Sequence, residues 1–294
     1  MVAKNVISKS IIVCGPTASG KSSFALALAQ KLDAVIINAD SQQVYADLQV
    51  LSARPSKAEM QGVPHYLYGV LQGDEACNAG RWLQMVSEIE TDKPRIFCGG
   101  TGMYLSALLN GIVELPEIPA NIRAKVRAME IGEVEAQIAD EMPENMKGNQ
   151  QRMRRALEVK LATGKSLQAW HESQDDSSNR DNYIVLYQNI ERGVVRQRIA
   201  DRMDLMVEQG ALEEVNEILE KRYAADLPIM KALGVPEFAE YLRGKISLEE
   251  AKQKAVQNSQ QYAKRQQTWF NNQIEDKIEI AGKSVDEIYK ELIG

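Results

Sequence analysis

The sequence is short of the features that would place it in a membrane, outside the cell or around a metal cluster. No apolar run approaches the ~20 residues that span a bilayer. Met1 to Ser10 carries Lys4 and Lys9 but leads straight into a strand pattern, without the separate apolar region and cleavage site of a secretion signal. Cysteine is scarce: Cys14, Cys77 and Cys98 are odd in number and at no metal-like spacing, which argues against a disulfide framework and suits buried, reduced thiols in a cytoplasmic protein. Positive charge is in deficit, and the net −6 speaks against a general basic coating for nucleic acid while leaving room for local basic faces. Neither an internal repeat nor a low-complexity tract is present.

What is present is an ordinary globular composition, 44% hydrophobic and 26% charged over 294 residues, enough for a sizeable core and more than one average domain. Ile11 to Cys14, Ala34 to Ile37 and Arg95 to Cys98 read as strands separated by helical patterns, the alternation of a parallel sheet with crossover helices. From Leu115 to Pro119 proline punctuation sets in. Charged, helix-favouring sequence follows through Trp170, then a polar stretch from Glu172 to Asn182. Tyr183 to Tyr187 returns as a strand. The chain thus divides into a first core part at 1–114, a helical insertion at 115–181 and a second core part at 182–294. In that last part Val194 to Gln209 is an amphipathic helix stopped at Gly210, and Ser247-Leu248-Glu249-Glu250 opens a helix that runs past Trp269. The acidic-leaning tail from Glu275 reads as a surface helix without a distinct task.

Two glycine-rich turns follow apolar runs. Gly15-Pro16-Thr17-Ala18-Ser19-Gly20-Lys21-Ser22 fits G-x-x-x-x-G-K-[ST], with the strand before it and the helix after it that the pattern requires. Its glycines let the backbone N–H groups curl around phosphate oxygens at a helix N-terminus, Lys21 reaches the terminal phosphates, and Ser22 offers a hydroxyl to magnesium. The fold class is therefore α/β, a P-loop NTPase-like parallel sheet flanked by helices, with a helical insertion domain. The second turn, Gly99-Gly100-Thr101-Gly102, places Thr101 where its hydroxyl can meet a phosphate or a leaving-group oxygen. In such sheets ligands bind beyond the carboxyl ends of the strands, where Gly15, Asp40 and Gly99 all fall.

Asp40 allows three readings: a general base aimed at a substrate donor, a helix cap, or a magnesium-coordinating acid. Arg198 and Arg202, four residues apart on one helix, can project toward a single anion or lie solvated on the surface. Arg152, Arg154, Arg155, Lys160 and Lys165 face only one acid, Glu158, and Lys252, Lys254, Lys264 and Arg265 have none between them, with Trp269 and Phe270 following. Each stretch alone is an ordinary solvated helix face, but two of them beside a phosphate site point toward RNA.

Taken together these residues resemble the bacterial tRNA dimethylallyltransferases, also called tRNA isopentenyltransferases. The likeness runs through the first turn, Ile37-Asn38-Ala39-Asp40-Ser41-Gln42-Gln43-Val44-Tyr45, Gln61 to His65, Gly99 to Leu105, Arg155 to Val159 and Tyr262 to Phe270. It implies transfer of a five-carbon prenyl group from dimethylallyl diphosphate to N6 of the adenosine just 3′ of the anticodon, with magnesium. By that resemblance Asp40 is the general base, and Thr101 and Arg202 contact the diphosphate held by Gly15, Pro16, Thr17, Ala18, Ser19, Gly20, Lys21 and Ser22, with Ser22 toward the metal. Asp40, Ser41, Gln42, Gln43, Thr101, Arg123, Gln151, Arg152, Met153, Arg154, Arg155, Lys264 and Arg265 match tRNA-contacting positions, within a stretch from Lys264 to Phe270. The chain departs from the family pattern at Gly148-Asn149, at Tyr66 and over Leu71 to Arg81. A monomer acting in the cytoplasm is expected. A small-molecule kinase, a non-catalytic RNA-binding module and a prenyltransferase acting on free AMP are the rival readings.

Overall fold

The structure is a computed structural model that describes residues 8–112, 115, 117–143, 146–172 and 178–293. The chain opens with β1 (Ser10–Cys14), α1 (Lys21–Leu32), β2 (Val35–Asn38), β3 (His65–Tyr66), α2 (Ala79–Ser87), β4 (Arg95–Gly99) and α3 (Gly102–Asn110). Four helices follow: α4 (Ala120–Ala128), α5 (Ile131–Ile138), α6 (Gln150–Thr163) and α7 (Leu167–Glu172). It then continues with β5 (Tyr183–Tyr187), α8 (Arg192–Glu208), α9 (Ala211–Glu220), α10 (Val235–Leu242), α11 (Leu248–Gln273), β6 (Ile278–Glu279) and α12 (Val285–Ile293). Contacts divide the chain into two compact units, one joining the residues up to Leu109 with those from Asn179 onward, the other Asn110–Ser178.

The first unit is built on a parallel sheet whose order is β3-β2-β4-β1-β5-β6. Its central strands are continuous apolar runs because both of their faces are covered. Ile12, Cys14, Val35, Ile37 and Phe97 turn to one side and join a core with α2, α3 and the helices α8 to α11. Ile11, Val13, Ile36, Ile96 and Cys98 turn to the other, against α1 and α12. The Asn179 N–H donates to the Leu109 carbonyl at 2.8 Å, so the chain leaves this unit and re-enters it at one hydrogen-bonded neck.

In the second unit α4, α5 and α6 pack around Val126, Val134, Ile138, Met153 and Leu157. Met153, expected at a tRNA contact, is only 2% exposed and belongs to this core, so its side chain is withdrawn from any RNA. It shares the buried stripe of α6 with Ala156, Leu157 and Val159, the helical spacing that apolar residues take toward a core. Arg154 donates to the carbonyls of Val126 and Met129, closing the open C-terminal end of α4. Asn149, one of the departures from the family pattern, caps α6 by accepting from the Arg152 N–H at 3.1 Å.

The helix from Ser247 carries the expected capping box, with Ser247 and Glu250 bonded reciprocally. The tail differs from expectation. Instead of a surface helix alone it supplies the edge strand β6, paired to β5, and buries Ile280 and Ile288 beside α1. Two-residue strands carry no periodicity, which is why β3 and β6 escape a sequence reading. Because Ile288 is 1% exposed, Ile288→Ala is expected to lower the unfolding free energy by about 2–5 kcal/mol, read from the denaturant midpoint. A change under about 0.5 kcal/mol would return α12 to a surface role.

Candidate active site

The carboxyl ends of β1, β4 and β2 lie side by side, with Cys14 opposite Gly99 and Asn38 opposite Cys98. Their continuations meet more closely than side chains permit. A Cβ on Gly99 would stand 2.1 Å from the Ala39 carbonyl carbon, and one on Gly100 would stand 2.2 Å from Gln266 Nε2 and 3.0 Å from the Gly15 carbonyl. The Thr101 N–H donates to the Ala39 carbonyl at 3.1 Å. The segments that follow the three strands, with Gly15, Ala39-Asp40 and Gly100, are thereby gathered into one place.

In the first turn Ala18 and Gly20 take positive φ, 61° and 89°, which curls the backbone around its own N–H groups. Pro16 offers its carbonyl to the Ser19 N–H at 3.3 Å and to Lys21 Nζ at 3.4 Å. The Ser19 hydroxyl is buried and has no partner among the described residues, a donor left for an anion seated there. The turn opens onto the N-terminus of α1, whose first N–H groups lack intrahelical acceptors. Two of the arginines of α8 come to this turn: Arg202 donates to Thr17 Oγ1 at 2.7 Å, and Arg198 to the Ala18 carbonyl at 3.4 Å. Burial depresses the Arg202 guanidinium below its ordinary value, while the Asp40 carboxylate works the other way.

Ser22 is exposed at the start of α1. Its hydroxyl meets the Cys98 thiol, which burial pushes up to about 11. Among the described residues no group of three or more His, Cys, Asp or Glu side chains is placed to hold a metal ion.

Asp40 is held from below by the fully buried Asn38, which accepts from the Asp40 N–H at 2.8 Å and donates to the Asp40 and Leu67 carbonyls. One carboxylate oxygen, Oδ1, accepts from the Gln42 N–H at 3.0 Å, a turn cap. Capping thus engages one oxygen and leaves room for a second role on the other. Thr101 Oγ1 accepts from the Ser41 N–H at 2.9 Å and donates to Ser41 Oγ at 3.2 Å. Thr17, Asp40, Arg202 and Tyr262 line a single cleft whose remaining wall includes Leu51, Met203 and Met206. The loop behind Asp40 is anchored by Glu214 of α9, whose carboxylate accepts the N–H groups of Gln49, Val50 and Leu51 at 2.6, 2.7 and 3.0 Å.

Of the positions matched to RNA contacts, Lys264 and Arg265 are exposed on α11, with Arg265 5.7 Å from the Tyr262 ring centre. Gln43 folds back to donate to the Ser52 and Ala53 carbonyls, and Ser41 and Gln42 are half-buried beside it. Arg123, Gln151 and Arg152 are exposed within the second unit, and Arg155 lies 3.4 Å from Glu158. In the stretch Lys264 to Phe270, however, Gln266, Gln267 and Phe270 point inward. Tyr262 and Gln266 are site residues that the sequence reading did not single out. Their signal is polarity at core-facing positions: they lie four apart, on the helix that buries Ala255, Ser259 and Ala263. Burial and the Asp40 charge raise the Tyr262 phenol, which stays protonated toward Thr101 and Ser41.

The sequence pattern of the IPP transferase family matches residues 43–273. A tRNA dimethylallyltransferase of Rhizobium johnstonii is 40% identical over 295 residues, covering 94% of this chain and 98% of its own. That of Agrobacterium fabrum is 41% identical over 283 residues, covering 90% of this chain and 94% of its own. Among solved structures, the tRNA delta(2)-isopentenylpyrophosphate transferase of Staphylococcus epidermidis is similar with a TM-score of 0.67 and 30% identity, over 97% of each chain. A eukaryotic dimethylallyltransferase acting on tRNA shares the fold at a TM-score of 0.80 and 24% identity, over 95% of this chain and 75% of its own.

The close approach at the strand ends gives a paired test. Gly99→Ala sets a Cβ against backbone that no side-chain rotation relieves, so a loss of at least about 1–3 kcal/mol is expected in thermal or urea unfolding. Gly132→Ala, inside α5 with no atom within 4 Å of the new Cβ, is expected to gain about 0.5–1 kcal/mol instead.

Proposed function

The chain belongs to the IPP transferase family, and from that premise we propose that it transfers a dimethylallyl group from dimethylallyl diphosphate to N6 of the adenosine immediately 3′ of the anticodon in tRNA, releasing diphosphate. The observation that carries this reading is the single cleft in which the Asp40 carboxylate and the Arg202 guanidinium stand beside an apolar wall of Leu51, Met203 and Met206. An acceptor for a proton, a cation for a leaving group and a surface for a hydrocarbon are what this substitution needs.

The exocyclic amine of adenine is a weak nucleophile because its lone pair is delocalised into the ring. The uncapped oxygen of Asp40 takes its proton as the N6–C1 bond forms, and Thr101 helps to hold the amine in line. On the opposite side the C1–O bond breaks and its electron pair leaves with the diphosphate. The remaining N–H groups of the first turn, Lys21 and Arg202 meet that charge. The apolar wall keeps water from the allylic carbon. The Ser22 hydroxyl, a hard oxygen, would help to hold magnesium, which when bound would neutralise part of the leaving group's charge. The target base must leave its stack to enter the cleft. Arg123, Gln151, Arg152, Arg155, Lys264 and Arg265 offer cationic and amide donors to the surrounding RNA backbone.

The kinase alternative, with ATP in the first turn, needs a metal-binding acid at the end of the strand beside β1. There β4 ends in Cys98-Gly99, with the thiol protonated. Reaction on tRNA by a chain with free thiols fits the cytoplasm. No helix among the described residues is long and apolar enough to cross a membrane.

Incubation with labelled dimethylallyl diphosphate, magnesium and an anticodon stem-loop carrying adenosine beside the anticodon is expected to label the RNA. Label on free AMP alone, or γ-phosphate transfer from ATP, would overturn the reading. Asp40→Asn is expected to bind the stem-loop in a gel shift as the wild type does and to turn over about 10²–10⁴-fold more slowly. Undiminished turnover would leave Asp40 as a cap.

A further inference from the structure

Gln266 of α11 is 6% exposed, and both ends of its amide are in use. Oε1 accepts from the Thr17 N–H at 2.8 Å, and Nε2 donates to the Gly100 carbonyl at 2.8 Å. One side chain thus ties the backbone of the first glycine-rich turn to that of the second. Gly100 makes room for it, since a Cβ there would stand 2.2 Å from Nε2. The hydrogen bonds continue beyond each end. Thr17 Oγ1 accepts from Arg202 at 2.7 Å, and Thr101, next to Gly100, accepts from the Ser41 N–H at 2.9 Å, one residue from Asp40. A continuous line therefore runs from the cation of the leaving group, through Gln266, to the segment that carries the base.

The Thr17 N–H, a donor that a phosphate cradle would otherwise direct at its ligand, is committed to this tie. Such a commitment gains nothing for anion binding. It fixes the spacing between the two turns, and in a displacement where nucleophile, carbon and leaving oxygen must align, a misplacement of about 1 Å costs about 100-fold in rate.

Resting on the prenyl-transfer reading above, we propose that Gln266 is a positioning residue that sets the separation between the diphosphate side and the nucleophile side of the site, acting through Thr17 and Thr101 without touching either substrate.

The test uses the full chain as wild type, Gln266→Leu, Gln266→Glu and Gly100→Ala. For each, kcat and KM for dimethylallyl diphosphate, stem-loop affinity, inhibition by inorganic pyrophosphate and the melting temperature are measured. Gln266→Leu removes both hydrogen bonds and is expected to lower kcat about 10–100-fold, with RNA affinity and pyrophosphate inhibition close to wild type. Gln266→Glu keeps the shape and the Thr17 bond but sets an oxygen against the Gly100 carbonyl, so it carries the test if the leucine variant does not fold, and kcat falls again. Gly100→Ala pushes Nε2 aside from the other end and is expected to reproduce the loss with Gln266 intact. Wild-type kcat in the folded variants overturns the role. So does a loss confined to KM and pyrophosphate inhibition, which would make Gln266 a support of the phosphate cradle alone. A wild type that leaves the stem-loop unlabelled overturns the reaction and this role with it, whereas the preceding outcomes overturn the role alone.

Discussion

The approach of backbone to backbone at the ends of β1, β2 and β4 is the constraint on which the site depends. Gly99 lies against Ala39, and Gly100 lies between Gly15 and Gln266, at distances that leave no volume for a methyl group. Parallel strands about 4.8 Å apart bring their ends near one another in any α/β sheet, but only residues without side chains let the loops beyond those ends touch. Once they touch, a hydroxyl from one loop can serve the backbone of the next, as Thr101 does for Ser41. The Asp40 carboxylate and the Arg202 guanidinium then line a single cleft.

The helices on one face of the sheet complete the arrangement. α8 delivers Arg198 and Arg202 to the first turn, and α11 delivers Tyr262 and Gln266, with Val195, Ile199 and Ala263 packed between them beneath Ala18. Packing and chemistry are divided along each helix by position: the apolar stripe holds it against its neighbour, and polar residues at the same depth reach into the site. Glu214 extends the principle to the loop after β2, where one carboxylate satisfies three consecutive backbone donors. That loop has little regular structure of its own, and a charged acceptor replaces the ladder it lacks.

Much of this was legible in the chain because it is written locally. Ile11 to Cys14, Arg95 to Cys98 and Tyr183 to Tyr187 are strands whose apolar runs reflect burial on both faces. The glycine turns carry their geometry in their composition, and the four-residue spacing of Arg198 and Arg202 does bring both to one turn. What was not legible depends on partners distant in sequence. Gln266 reads as one more polar residue on a helix face until its partner, 166 residues away, is in place. Met153 reads as part of a basic, RNA-facing stretch because its neighbours Arg152, Arg154 and Arg155 dominate the composition, while its own side chain follows the buried stripe of α6. The tail reads as surface because an edge strand of two residues leaves no pattern.

The neck between Leu109 and Asn179 bears on how such a chain can vary over time. Because exit and re-entry are joined by a backbone hydrogen bond, the two ends of the intervening segment return to the same point. The entropy of closing such an excursion grows only by about 0.6 kcal/mol for each doubling of its length. The segment can therefore lengthen, shorten or be exchanged for another while the strands keep their order. Changes in the length or sequence of this excursion can accumulate without reordering the strands.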